Sequence, residues 1–161
     1  MKDLFTAFRA LVYMTGFIGF FVWIALNVRI FDKSIGVTLS PWTRPLGILF
    51  MAGGGILGIT CVGVFVIQGR GTQAPFDPPK EFVQLGPYRY VRNPMYLAGL
   101  TGLFGFGLYH QSVSILFLSV IVFSLAHIFV LAVEEPGLGK KFGQSYLDYK
   151  KSAKRWIPTW K

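Results

Sequence analysis

Four long runs without a charged side chain constrain the fold of this chain more than any other feature. They cover residues 10–28, 46–67, 95–109 and 113–133. As a helix, the 19-residue first run extends about 28 Å, close to the hydrocarbon thickness of a bilayer. We therefore predict an all-α integral membrane protein with about four transmembrane helices, in a single domain that covers residues 1–161.

The composition supports a membrane protein, and it argues against a nucleic-acid-binding surface and against a zinc site. Hydrophobic residues make up 53% of the chain and charged residues 14%. The net charge of +9 could indicate nucleic acid, but the basic residues border the hydrophobic runs. Membrane lipids are therefore the predicted partner, and no nucleic acid. Cys61 has no second cysteine for a disulfide, and with only two histidines it cannot complete a zinc site.

The last two apolar runs are predicted to form a helical hairpin, because only residues 110–112 separate them. The third run has 15 residues and extends about 22 Å, so its helix begins below the hydrocarbon edge or lies tilted. After the fourth run, Pro136 and Gly137 are predicted to break the helix. Residues 138–156 then have the pattern of an amphipathic helix that lies on the membrane surface.

The distribution of lysine and arginine predicts the orientation. With four spans, thirteen of the sixteen basic residues fall on one side of the membrane, and Arg29, Lys33 and Arg44 fall on the other. Basic residues concentrate on the cytoplasmic side of membrane proteins. We therefore expect both termini, the loop of residues 69–94 and the tail of residues 134–161 to be cytoplasmic, in a bacterial inner membrane.

The segment of residues 86–96, Gly-Pro-Tyr-Arg-Tyr-Val-Arg-Asn-Pro-Met-Tyr, is polar and aromatic although it leads into an apolar run. We call it the elbow. Asn93 can cap the free N–H groups of a helix, and Pro94 suits the first helical position. The tyrosines and arginines can form an interfacial anchor and nothing more. A functional interpretation depends on Glu134 and Glu135.

Glu134 and Glu135 end the fourth run on the same side of the membrane as Arg89 and Arg92. Two adjacent carboxylates at a helix C-terminus oppose the helix dipole and repel each other, so local stability does not explain them. One interpretation is ion pairing with the two arginines. The other is a polar pocket in which carboxylates bind hydroxyl groups or a cation.

Small residues and one histidine in the apolar runs allow two interpretations each. Gly53, Gly54 and Gly55, with Gly58 and Gly63, lie in the second run, and Gly99, Gly102 and Gly105 lie in the third. These glycines can let helices approach closely, or can leave bare backbone against a ligand. His127 lies seven residues before Glu134 and so shares its helix face. Such a histidine is either an interhelical hydrogen-bonding group or a base.

In this order, the elbow, the hairpin, Glu134-Glu135-Pro136 and the Phe142-Gly143-x-x-Tyr146-x-x-Tyr149 pattern resemble the integral-membrane methyltransferases. That superfamily includes isoprenylcysteine carboxyl methyltransferases and phospholipid N-methyltransferases. The resemblance covers residues 53–158. Asn93-Pro94 and the glutamate pair are similar to the phospholipid enzymes, whereas residues 142–158 are similar to the prenylcysteine enzymes. The prenylcysteine enzymes usually have histidine at the position of Asn93.

The resemblance implies an enzyme that moves a methyl group from S-adenosylmethionine to a lipophilic acceptor from the bilayer. Arg92 and Glu134 are the implied catalytic residues. Carboxylates suit the ribose hydroxyls or ammonium of this cofactor, arginine suits its carboxylate, and tyrosine rings can face its sulfonium. The implied cofactor-binding residues are Gly53, Gly55, Tyr88, Arg89, Arg92, Asn93, Tyr96, Gly99, His127, Glu134 and Glu135.

Several alternatives remain open from the sequence. The acceptor can be a phospholipid amine, an isoprenylcysteine-type carboxylate, or a small lipophilic thiol or phenol. A related membrane fold serves NADPH-dependent reductases of the sterol-reductase type. A non-enzymatic membrane scaffold is the third class.

Overall fold

The computed structural model describes residues 2–69 and 82–159. In the first range, α1 (Lys2–Val28) continues through a 3-10 turn, Arg29–Phe31, into the short α2 (Asp32–Ile35). The next helix is α3 (Thr43–Val64), which ends in a π turn at Phe65–Gly69. These bounds contain the first two predicted spans.

The second range begins with the elbow, where Gly86–Arg89 form a 3-10 turn. The helices that follow are α4 (Pro94–Tyr109) and α5 (Val113–Phe129), then a π turn at Val130–Glu134. After it come α6 (Glu135–Phe142) and α7 (Gln144–Ser152). The predicted all-helical fold is confirmed for the described residues.

Three helical segments within the described ranges are long and apolar enough to cross a membrane: Phe8–Ile35, Thr43–Ile67 and Val113–Phe142. Large apolar side chains on them, such as Trp23, Ile56 and Phe117, are more than 60% exposed in the isolated chain. Lipid is the solvent that such a surface requires. The protein is therefore a membrane protein. The 16-residue α4 is shorter than these three segments.

Helices α3 and α4 pack so closely that their backbones touch. A Cβ atom added at Gly54 would lie 2.6 Å from the carbonyl oxygen of Ala98 and 2.9 Å from the amide nitrogen of Gly102. One added at Gly47 would lie 2.6 Å from the carbonyl oxygen of Gly105. Small residues thus bring the two helices together, as expected in membranes. The residue of the Gly53–Gly55 triplet that serves this contact is the middle one.

The predicted hairpin of α4 and α5 is confirmed. Its turn is completed by Ser112, whose side-chain oxygen accepts a hydrogen bond from the backbone N–H of Ile115, 3.2 Å away. Ser112 is fully buried, and Gln111 has the positive φ of 55° that the tight turn requires. The hairpin therefore places the C-terminal end of α4 beside the N-terminal end of α5.

The prediction that Pro136 and Gly137 break the fourth helix is wrong, because the chain stays helical from residue 113 to residue 142. The π turn gives the reason. The backbone N–H of Glu135 binds the carbonyl of Val130, five residues earlier instead of four. This change of register starts a new hydrogen-bonding turn, and Pro136 falls in that first turn, where its missing N–H costs little. The helix ends at Gly143, whose φ is 55°.

The single amphipathic helix predicted over residues 138–156 is also wrong. Gly143 divides it into α6 and α7, and α7 ends at Ser152. The predicted apolar face does exist: Tyr146, Tyr149 and Ala153 are buried together. They pack against Phe82, Leu138 and Phe142, so this face is covered by the protein itself. Its position relative to the membrane surface is a proposal made below.

The last described residues return to the elbow. The backbone N–H of Arg92 binds the carbonyl of Lys154 at 2.9 Å, and the N–H of Thr159 binds the carbonyl of Tyr90 at 2.9 Å. An isolated parallel bridge joins Val91 and Lys154. The tail is thereby fixed to the elbow, and this contact builds the polar site.

Candidate functional site

The elbow is held in place from both sides. Tyr88 is buried, and its ring packs edge-on against Phe65 at the end of α3, with ring centroids 5.2 Å apart. From α7, the phenol of Tyr149 donates a hydrogen bond to the backbone carbonyl of Tyr88. Burial raises the pKa of Tyr149, so this phenol stays protonated and keeps donating. The backbone that carries Arg92 and Tyr96 is therefore fixed before any ligand binds.

Glu135 is the centre of an ion-pair cluster. Arg155 binds it in bidentate fashion, Nε to Oε1 at 2.7 Å and Nη2 to Oε2 at 3.1 Å. Arg92 Nη1 lies 3.0 Å from Oε1, and Lys150 Nζ lies 3.0 Å from Oε2. Both oxygens are thus occupied by cations, and the residue is buried. The predicted ion pairing is therefore correct for Arg92, and its partner is Glu135.

Glu134 has a different environment. It accepts one hydrogen bond, from the phenol of Tyr96 to Oε2, at 2.8 Å. In the described part of the chain, no cation lies within ion-pair distance of it. A carboxylate has about four acceptor positions, so most of those on Glu134 are free. This carboxylate is the one that remains able to bind a ligand.

Arg92 keeps donors that the protein does not use. Its side chain is 10% exposed. Nε and Nη1 have no hydrogen-bond partner among the described residues, since the contact of Nη1 with Glu135 is an ion pair without hydrogen-bond geometry. A buried donor without a partner costs free energy unless a ligand or water satisfies it. The guanidinium is therefore suited to bind an anionic group.

His127 joins the site through Trp156. The indole Nε1–H donates to Nδ1 of His127 at 2.8 Å, and the indole ring packs edge-on against Tyr96, with centroids 6.2 Å apart. Trp156 also contacts Phe123 of α5, at 5.2 Å between ring centroids. These contacts support the interpretation of His127 as a hydrogen-bonding group between segments. Trp156 in turn helps to position Tyr96.

Other predicted site residues lie away from the carboxylates or support them indirectly. Tyr88 packs against Phe65, as described. Arg89 is exposed and contacts no acid within the two described ranges. Asn93 does precede α4, but its side chain makes no capping hydrogen bond. The Asn93 Nδ2 group instead lies 3.4 Å from the carbonyl of Arg155, so the predicted cap is wrong and the side chain helps to hold the tail.

The predicted cofactor-binding glycines leave open space. An added Cβ at Gly53, Gly55 or Gly99 would meet nothing within 4 Å. Each neighbours a residue of the packed α3–α4 contact, Gly54 or Ala98. The packing interpretation is therefore wrong for Gly53, Gly55 and Gly99, whereas room for a ligand beside their backbone remains.

Sequence reasoning missed the tail residues Lys150, Arg155 and Trp156. Their basic and aromatic side chains fit the predicted membrane-surface helix. That helix is interrupted at Gly143 and ends at Ser152, so the three residues do not share one helix face. The signal in the sequence was the concentration of basic residues in the tail, which lies on the same predicted side of the membrane as the two adjacent carboxylates.

An open cavity of about 390 Å³ lies on the tail side of Glu135. Its lining combines the cluster with apolar side chains: Leu131, Glu135, Pro136, Gly139, Tyr146, Leu147, Lys150 and Arg155. Burial, and then the charge of Glu135, raise the pKa of Tyr146 to about 12, so its phenol is neutral. The hydrogen bond to Glu135 raises the pKa of Arg155, so the guanidinium stays charged. The lining of the cavity thus includes both charged and apolar side chains.

Comparison with known proteins gives a consistent assignment. A family model described as phospholipid methyltransferase matches residues 42–145, nearly two thirds of the chain. The match contains Gly53, Arg92, Glu134 and Glu135. The phospholipid half of the resemblance is therefore supported, and nothing found supports the prenylcysteine half.

Relatives named phosphatidylethanolamine N-methyltransferase match a shorter stretch. Those of Paracoccidioides brasiliensis (strain Pb03) and Talaromyces marneffei are 36% identical over 70 residues, and that of Ajellomyces capsulatus (strain H143) is 34% identical over 70. In each case the match covers 44% of this chain and 7% of the relative. These relatives are fungal and give no support to the expected bacterial membrane. From the extent of the family match, the chain belongs to the phospholipid methyltransferase family.

Proposed function

We propose that this protein is an S-adenosylmethionine-dependent methyltransferase that methylates the amine headgroup of a membrane phospholipid. The observation that carries the proposal is the unequal pair of carboxylates beside Arg92. Glu135 is saturated by three cations, whereas Glu134 keeps free acceptor positions, and the buried guanidinium of Arg92 keeps unused donors. The family membership and the names of the relatives supply the substrate class.

The described residues fit the methyl donor. S-adenosylmethionine supplies a methyl group on a sulfonium, together with an amino-acid group and a ribose. Arg92 is suited to the carboxylate of the amino-acid group, because a guanidinium can donate two parallel hydrogen bonds to it. Glu134 is suited to the ammonium or to the ribose hydroxyls. Gly53, Gly55 and Gly99 leave backbone accessible beside α3 and α4.

Catalysis on this proposal consists mainly of positioning. Arg92 and Glu134 act by binding the donor in one orientation, and Tyr96 fixes the carboxylate of Glu134. Holding two reactants in a productive geometry can lower a barrier by roughly 7–11 kcal/mol. Glu135, Asn93 and Tyr88 are positioning residues, since each holds the elbow or the tail through contacts within the protein. Arg89 and His127 stay as predicted candidates.

The membrane arrangement belongs to the same proposal. We infer that α4 is a fourth span, that residues 138–156 lie near the membrane surface, and that residues 1–161 act as one domain. Both termini, the loop of residues 69–94 and the tail lie on the cytoplasmic side. Residues 70–81 of that loop lie outside the described ranges. A water-soluble donor then reaches Arg92 from the cytoplasm, and a lipid reaches the site from the bilayer.

The proposal is tested by incubating membranes that contain the protein with S-adenosylmethionine carrying a labelled methyl group. We expect the label in the lipid extract, on phospholipids with amine headgroups. Membranes with the Glu134→Gln variant, at equal protein level, serve as the control and should incorporate much less. Label on a prenylcysteine carboxylate, or no label in the lipid extract of membranes that contain the folded protein, would contradict the proposed acceptor.

Binding is tested separately by thermal melting in detergent. A donor concentration a hundred times its dissociation constant stabilises the folded protein by about 2.7 kcal/mol. We expect the melting temperature to rise with S-adenosylmethionine or its demethylated product, and NADPH to have no effect. Stabilisation by NADPH alone would support the reductase alternative.

A further inference from the structure

A second cavity, of about 310 Å³, lies at the end of α4 that is farthest from the elbow. It is lined by Arg29, Arg44, Tyr109 and His110. Arg29 belongs to the turn that follows α1, Arg44 to the first turn of α3, and Tyr109 ends α4. Three separate segments thus bring two guanidinium groups to one cavity, and the proposed methyl-transfer site does not use them.

No acidic residue in the described part of the chain lines this cavity, and the nearest charge of opposite sign is Asp32, which lies close enough to Arg29 for the two charges to attract each other. Among the described residues neither arginine makes an ion pair. Asp32, three residues after Arg29, accepts a hydrogen bond from the backbone N–H of Ser114 at 2.9 Å, which ties it to the start of α5. Two like charges that share a cavity repel each other, and an anion bound between them offsets this repulsion. The charge pattern therefore favours an anionic ligand.

The other two lining residues complete a set of hydrogen-bonding groups. Burial, and then the charges of Arg29 and Arg44, lower the pKa of His110, so its imidazole is neutral at pH 7. A neutral imidazole can donate from one nitrogen. Tyr109 is about 40% exposed and offers a phenolic donor. Guanidinium forks with neutral donors beside them match the oxygens of a phosphate.

If α4 is the fourth span proposed above, its short length brings this cavity within reach of the lipid headgroups. Its 16 residues extend about 24 Å, less than the roughly 30 Å of a typical hydrocarbon core. Local thinning of the bilayer is one way in which such a mismatch is accommodated, and it brings headgroups down to the end of the helix. On this side of the predicted topology the sequence has just three basic residues, and two of them line the cavity.

We propose that Arg29 and Arg44 bind the phosphate of a membrane phospholipid at the end of the bundle opposite the methyl-transfer site. The single negative charge of the lipid phosphate offsets part of the positive charge of the two guanidiniums, and the lipid joins the ends of α1 and α3 to the α4–α5 hairpin. This site is independent of the proposed enzymatic activity, and its failure would leave that activity untouched.

The test compares purified wild type with the Arg29→Gln/Arg44→Gln double variant in detergent, using native mass spectrometry to count retained dioleoylphosphatidylglycerol. Lys33→Gln is the matched control, because it removes the third basic residue of the same end, and Lys33 does not line the cavity. We expect wild type and the control to retain one more lipid than the double variant. The lipid concentration for half-maximal thermal stabilisation should rise at least tenfold in the double variant.

A second double variant and a titration with inorganic phosphate complete the test. If the double variant does not fold, Arg29→Lys/Arg44→Lys keeps the charge and removes the planar forks, and weaker lipid retention in it supports the proposal. Inorganic phosphate is titrated in place of lipid, and equal stabilisation by phosphate alone would assign the site to a free anion and overturn the lipid assignment. Equal lipid retention by wild type and the double variant would overturn the site itself.

Discussion

Glu134 and Glu135 are neighbours in the sequence, but the structure gives their carboxylates different tasks. Glu135 faces the elbow and the tail, where Arg92, Lys150 and Arg155 surround it. Glu134 faces Tyr96 on α4. The difference arises because consecutive residues on a helix point about 100° apart. A single residue step therefore separates a structural carboxylate from one that is free to bind.

Glu135→Gln is expected to destabilise the protein without any ligand present. The substitution leaves partly buried Arg92 and Arg155 without a counter-charge, and breaking a buried ion pair in this way costs about 3–5 kcal/mol. Thermal melting in detergent measures the loss. Asp148→Asn is the matched control, because Asp148 pairs with Lys151 on the exposed surface of α7 and its loss should not move the melting temperature. Equal melting curves for the two variants would refute the structural role of Glu135.

Glu134→Gln is expected to affect donor binding more than stability. The amide oxygen of glutamine can still accept the hydrogen bond from Tyr96, so the protein without ligand should melt close to wild type. Loss of a charge-assisted hydrogen bond, worth roughly 1.5–3 kcal/mol, lowers affinity for S-adenosylmethionine about ten- to a hundredfold. The concentration dependence of the melting shift gives that affinity. Reduced stability together with unchanged affinity would remove Glu134 from the proposed site.

The sequence allowed part of this residue-scale arrangement to be predicted. Arg92, Glu134 and Glu135 carry recognisable chemistry, and their common membrane side followed from the hairpin. The roles of Lys150 and Arg155 did not follow, because they depend on Gly143 turning the chain back towards the elbow. A left-handed glycine can redirect a chain in ways that helix periodicity does not reveal.

At the scale of elements, the pair α3 and α4 is the rigid part of the bundle. Backbone contact through Gly54 near the start of α4, and through Gly47 and Gly105 near its end, fixes α4 relative to α3 along its length. The fully buried Pro94 begins α4 within the elbow, so this packing also fixes the elbow. Which glycine of the triplet makes the contact depends on helix rotation, and adjacent small residues do not specify rotation. The sequence therefore predicted the close approach but not the residue.

Gly54→Ala and Gly53→Ala form a matched pair that tests this packing. The added methyl at Gly54 collides with backbone of α4 and should destabilise the protein by about 1–3 kcal/mol, the usual cost of overpacking. The methyl at Gly53 meets open space, and alanine is the better helix former, so that variant should melt at or slightly above wild type. If Gly53 lies against the donor, its alanine variant should still bind S-adenosylmethionine more weakly. Equal destabilisation by both substitutions would refute the α3–α4 contact.

The continuity of α5 and α6 shows where local sequence rules fail. Proline and glycine in succession normally predict a helix end. A π turn immediately before Pro136 supplies a change of register, and the helix continues towards the tail. Nothing in the local sequence distinguishes such a turn from a break. π turns are found frequently at functional sites, and this one immediately precedes Glu135 of the proposed site.

For the whole molecule, hydropathy predicted the fold class, and the charge distribution predicted a topology that awaits testing. Long apolar runs correctly predicted α1, α3 and the α4–α5 hairpin, because a bilayer permits few alternatives to a helix. The two cavities lie at opposite ends of α4: the Glu135 cavity near the elbow and the Arg29–Arg44 cavity at the far end. On the predicted topology, one faces the source of the methyl donor and the other faces the headgroups of the opposite leaflet.

The topology is tested by reporters at two positions. A reporter fused after Lys161 should give a cytoplasmic signal, because thirteen of the sixteen basic residues fall on that side and positive charge is retained in the cytoplasm. A reporter inserted in the turn at residues 110–112 should give the external signal, because α4 and α5 form a hairpin whose turn lies at the opposite end from the elbow. Inserting the same reporter in the loop of residues 69–94 is the internal control and should match the C-terminal fusion. A cytoplasmic signal from the turn would mean that the hairpin does not cross the membrane, and Arg29 and Arg44 would then lie on the same side as the proposed methyl-transfer site.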